Sequence, residues 1–142
     1  MDGTNESSNS VVTPAAFFGR TFAEALALTR EARDYLRDYG EDDSRDLAIE
    51  TAAQYSLETM RLTSRRTNMV TWLLVQRAVH RGDWTGEEIR QDTWRLGGKE
   101  VCLERGEVDP ELLPPYLCDL LRRSERLYRR IARLDDMVAS AA

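Results

Sequence analysis

The chain has 142 residues, of which 42% are apolar and 32% charged, with a net charge of −5. One domain of this length buries roughly 68–70% of the surface its unfolded form exposes, so folding requires no disulfide or metal staple. The balance excludes a disordered chain, and an acidic protein is a poor nonspecific ligand for nucleic acid, where phosphate neutralisation supplies most of the affinity. The longest apolar run, Met69–Val75, is broken by Thr71 and falls short of the roughly 18 residues of a membrane span. Residues 1–10 hold neither a basic n-region nor an apolar h-region, which predicts no secretory signal, no membrane partner and a cytoplasmic location.

Residues 1–13 read as a flexible polar tail, 14–138 as a helical domain and 139–142 as a short C-terminal tail. Phe18, Phe22, Ala25, Thr29, Ala32 and Leu36 recur at three- and four-residue steps and predict a first amphipathic helix ending near Gly40. Glu41–Asp43 then read as a short turn. No Pro or Gly interrupts Ser44–Arg81, which predicts a helix of about 37 residues, roughly 55 Å long. Asp43 or Ser44 is its expected cap and Gly82 its expected stop.

Glu87–Leu96 predicts a short helix capped by Thr85, Gly97-Gly98 breaks it, and Glu100–Val108 reads as a mixed connector. Beyond Pro114-Pro115, the stripe Leu117, Leu120, Ser124, Leu127, Ile131, Leu134 and Val138 predicts a last helix. The expected fold is all-α, an antiparallel three-helix bundle with a very long central helix.

The residues that carry chemistry are sparse. His80 is the single histidine, and the position three before it is Arg77, so the paired Glu-x-x-His pattern of a di-iron bundle is absent. Cys102 and Cys118 are 16 residues apart and suit neither a metal knuckle nor a disulfide framework, and both are expected to be reduced. Gly97-Gly98 lacks the strand context of a phosphate loop. We therefore expect no metal, no cofactor and no enzymatic activity.

The long helix is more informative. Met69, Val70, Leu73, Leu74 and Ala78 span one side of it, while Trp72, Val75 and Val79 span the other. A helix in a three-helix bundle needs one broad apolar sector, so the second predicts a further burying contact and, with it, a homodimer. Extended towards the N-terminus, the second side runs Leu57, Arg61, Arg65, Asn68, Trp72, Val75 and Val79. Tryptophan and arginine over an apolar strip make up an interface hot spot, so Arg61, Arg65, Asn68, Trp72, Val75 and Val79 are the candidate protein-interaction residues. The competing reading folds Trp72 under the 83–109 connector and leaves the upper half solvated. Arg66 projects from the core sector, where it either reaches solvent at the bundle edge or pairs with an acid such as Asp119.

Three blocks carry a resemblance. Tyr55-Ser56-Leu57-Glu58-Thr59-Met60-Arg61-Leu62-Thr63-Ser64-Arg65 runs into Trp72-Leu73-Leu74-Val75-Gln76-Arg77-Ala78-Val79. Leu113-Pro114-Pro115-Tyr116-Leu117 then leads through Ser124 and Arg126-Leu127-Tyr128 to Arg130-Ile131-Ala132-Arg133-Leu134-Asp135. Over about residues 17–136 the chain resembles the alphaproteobacterial regulator of CtrA degradation family, long described as a domain of unknown function. The resemblance implies a homodimer of three-helix bundles and a bacterial adaptor role in the cell cycle. In that role it helps deliver regulatory proteins as cargo to the ClpXP protease, alongside the ClpX unfoldase and a response-regulator-like adaptor. The alternative is a helical dimeric scaffold in signalling or polar localisation with no link to proteolysis. Arg66 and Thr67 stand where the family is usually apolar, and its flexible C-terminal extension is nearly absent, which implies a different cargo set.

Overall fold

The computed structural model describes residues 14–82, 94–104 and 109–140, all helix, turn or connector, with no strand among them. The expected tail at 1–13, the Thr85 cap and most of the helix Glu87–Leu96 lie outside the described residues. Helix α1 spans Pro14–Asp38, α2 Gly40–Arg45, α3 Ile49–His80, α4 Lys99–Cys102 and α5 Pro115–Ser140, with a 3-10 turn at Pro110–Leu112.

Boundaries shift where local chemistry competes with periodicity. Helix α1 starts at Pro14, ahead of Phe17, because proline's fixed φ and missing N–H suit a first helical turn. Residues 40–45 are helical instead of forming a bare turn, with Glu41, Asp42 and Asp43 at the positive end of the dipole. The long helix therefore begins at Ile49 and not at Ser44, and neither Asp43 nor Ser44 caps it; its N-cap is Ala48, with no side-chain cap bond. Its 32 residues still reach about 48 Å. Gly82 ends it as expected: its φ of 81° lies in the left-handed region, and its N–H reaches the Val79 carbonyl at 2.9 Å. Helix α5 runs to Ser140, past the expected limit at 138.

The three long helices share one core. Ala25, Leu28, Ala32 and Tyr35 from α1 meet Tyr55, Leu62, Met69 and Leu73 from α3 and Leu117, Leu120, Leu127 and Ile131 from α5. Helix α1 is antiparallel to α3, since Phe18 packs against His80 at one end and the Tyr55 hydroxyl donates to the Gly40 carbonyl at the other. It is antiparallel to α5 as well, with Glu31 against Arg123 and Glu24 against Arg130.

Helices α3 and α5, however, run in the same direction: Arg65 bonds Ser124, and Trp72 bonds Asp135. This corrects the expectation of a simply antiparallel arrangement. The segment 95–102 returns along α3, touching Trp72's partner Asp135 first, Asn68 next and Arg61 last. That return leg lets α5 start at the same end as α3.

Candidate protein-interaction site

Four charged residues lie between positions 51 and 76 of α3, and their placement is inverted. Glu58, Arg61 and Arg65 are buried and Arg66 is half-buried, while every exposed position in that stretch is uncharged. Each face has a physical cause in what covers it.

The buried charges face the return leg. Gln54 donates to Glu58 at 2.7 Å, and Glu58 pairs with Arg61. Arg61 Nε donates to the Val101 carbonyl at 3.0 Å, and Arg65 Nε to the Cys102 carbonyl at 2.8 Å. Arg65 Nη1 also reaches the Leu121 carbonyl at 3.1 Å and Ser124 Oγ at 3.0 Å. The connector thus hangs by its carbonyls from two guanidinium groups, because the last carbonyls of the one-turn helix α4 have no intrahelical partner. Burial lowers the Arg65 pKa, with the Glu125 carboxylate opposing and Arg61 adding to the effect; a guanidinium still stays charged.

Further along, Asp135 is 2% exposed and gathers three donors. Trp72 Nε1 donates to Oδ1 at 3.0 Å, Arg95 Nε to Oδ2 at 2.9 Å, and Lys99 Nζ lies 3.4 Å from Oδ2. Tyr128 closes the leg by donating to the Gly97 carbonyl at 2.6 Å. The Asn68 amide bonds Ser64 and lies so close to Gly97 and Gly98 that an ideal Cβ there would stand 2.8 and 2.6 Å away. Gly98 also holds φ at 78°, so both space and backbone require glycine.

Of the expected interaction residues, the fold therefore brings Arg61, Arg65, Asn68 and Trp72 together, but beneath the chain's own connector and α5. Val75 is buried with them, and Val79 is half-buried at the end of the row. The placement of Arg61, Arg65 and Trp72 on a face outside the core is corrected. Their partners, at sequence separations of 37 to 63 residues, cover it. Asp135, Arg95, Lys99 and Glu58 were missed. One signal was available: Asp135 falls on the same helical face as Ser124 and Ile131, a carboxylate in an apolar stripe that needs a donor.

Arg66 pairs with no acid among the described residues. Asp119 pairs with Arg123 instead, and Arg66 Nε and Nη1 are buried without a hydrogen-bond partner. Burial lowers its pKa, and the nearby Arg33 lowers it further.

The open face of α3 is different in kind. Leu57 is 54% exposed, Met60 67% and Leu74 49%, with Thr67 and Thr71 exposed between them. With the exposed Thr63 these positions follow four- and three-residue steps, the seam spacing of a helix pair. The outer faces of α1 and α5, by contrast, carry Arg33, Arg37 and Asp38 and Arg122, Arg126, Arg129 and Arg133. Leu57 stood at the edge of the expected stripe; Met60 and Leu74 were assigned elsewhere or passed over.

Among the described residues no group of His, Cys, Asp or Glu is arranged to hold a metal ion, and no helix is long and apolar enough to cross a membrane. Cys102 and Cys118 are buried and are not joined in a disulfide.

No curated protein matches the chain. Residues 10–142 match the family described as "Protein of unknown function (DUF1465)". Among solved structures, the chain is similar to RcdA from Caulobacter crescentus CB15, at 38% identity and a TM-score of 0.71, covering 88% of this chain and 92% of that one. The chain belongs to the DUF1465 family, in its RcdA-like form.

Proposed function

We propose that this protein is a non-enzymatic, homodimeric three-helix-bundle adaptor that helps deliver regulatory proteins to the ClpXP protease. The observation that carries the reading is the likeness to RcdA over nearly the whole of both chains. Its dimer seam is the uncharged outer face of α3, centred on Met60 and Thr67. A helix whose charges between residues 51 and 76 turn inward while Leu57, Met60 and Leu74 stay exposed is arranged to be covered again. Delivery works through effective concentration: a cargo held beside an unfoldase engages it as if tethered, without any new chemistry.

The test has two stages. The full chain is first used to recover partners from native bacterial cytoplasm, with recovery of the ClpX unfoldase or a response-regulator-like adaptor as the expected result. Cargo turnover by ClpXP is then measured in a reconstituted assay with and without the protein. Turnover that the protein leaves unchanged, with neither partner recovered, overturns the adaptor reading in favour of a scaffold.

A further inference from the structure

Helices α1 and α5 leave an open groove of about 390 Å³ between them, with Leu28 and Leu127 in its floor and Ala27 at its lip. Two ion pairs bracket it, Glu24 with Arg130 and Glu31 with Arg123. Glu24 and Glu31 are seven residues apart, so the open stretch is about 10 Å long, two helical turns. Arg126 lines the groove between the brackets and has no carboxylate partner among the described residues.

Arg126 also belongs to a row. Arg122, Arg126, Arg129 and Arg133 fall within about 60° of one another on the outer side of α5. All four are exposed; Arg129 pairs with Glu125, while Arg122 and Arg133, like Arg126, have no carboxylate partner among the described residues. The groove's acids are thus already neutralised, and its uncompensated charge is positive and confined to one wall.

We propose that this groove seats an acidic amphipathic helical segment of a partner protein. Its apolar side lies over Ala27, Leu28 and Leu127, and its carboxylates reach Arg122 and Arg126. A small-residue lip and a leucine floor accept a helix, and arginine forks bind carboxylates in pairs. A phosphate polymer fits less well, because Glu24, Glu31, Asp119 and Asp136 flank the arginines and would meet its evenly spaced charges. The inference rests on the adaptor reading only in taking the partner to be a protein. It is read without any protease, so its failure and the failure of delivery are separate results.

The experiment uses the full chain and a fluorescein-labelled peptide of about 14 residues, nearly four helical turns, with leucines on one face and glutamates beside them. A matched peptide carries lysine in place of glutamate. Fluorescence anisotropy should show saturable binding of the glutamate peptide, about tenfold tighter than the lysine peptide. Arg122→Glu with Arg126→Glu should remove that preference, and Ala27→Trp, which fills the lip, should weaken both peptides. Circular dichroism checks that these surface variants keep their helicity, and Arg133→Glu serves as a folded control outside the groove. Equal affinity for the two peptides, binding unchanged in the variants, tighter binding of a DNA oligomer or of phosphatidylserine vesicles, or closure of the groove by a second copy would each overturn the proposal.

Discussion

Arg65→Met separates a core arginine from an interface arginine. Arg65 is 3% exposed, and its guanidinium donates to the Cys102 carbonyl, the Leu121 carbonyl and Ser124 Oγ. Methionine fills much of the stem's volume but leaves the Cys102 carbonyl buried with no donor. Each hydrogen bond to a charged group contributes about 1.5–3 kcal/mol, and relief of the guanidinium's desolvation offsets part of that. The net expectation is a loss of about 3 kcal/mol, or a Tm lowered by about 10 °C in a domain of this size. Arg65→Lys keeps the charge but not the fork and should fall between the two. Thermal melts followed by circular dichroism, with urea titrations to confirm the ranking, measure both. A Tm within about 3 °C of the parent, with association lost, would show that Arg65 serves an interface and that its bonds to the return leg are dispensable.

Light scattering behind size exclusion should give twice the 16.3 kDa chain mass, and Met60→Glu with Leu74→Glu should give a monomer of unchanged helicity; a parent that is already monomeric removes the α3 seam. Asp135→Asn keeps the shape but loses the charge that holds Arg95 and Lys99, so stability should fall by about 2 kcal/mol. Trypsin should then cut sooner at those two residues, and an unchanged cleavage pattern would mean the return leg is held by packing alone. Burial raises the pKa of Tyr35 and Tyr128, whose hydroxyls donate to Asp43 at 2.7 Å and to the Gly97 carbonyl at 2.6 Å. The folded state keeps protons that the unfolded chain releases near pH 10, so stability is full below about pH 10 and falls as pH rises beyond it. Phenolate absorbance should show these two ionising only as the helical signal is lost; ionisation of all five tyrosines in a folded protein would contradict this.

The sequence by itself determined the three long helices, because each needs only a local pattern. The stripe from Leu117 to Ile131 is legible at three- and four-residue steps, and Gly82 and the Pro114-Pro115 pair mark ends that backbone sterics impose. It also showed that α3 carries more apolar surface than one core can use. Tertiary structure alone decided which side of α3 the chain covers for itself. Arg61, Arg65 and Trp72 look like an open hot spot until the segment 95–102 lies across them, and the carbonyls of Val101 and Cys102 and the carboxylate of Asp135 meet them from at least 37 residues away. Helical periodicity reports the direction a side chain takes from its axis, not what lies there. A return leg without periodicity of its own leaves no trace in the pattern of the helix it covers.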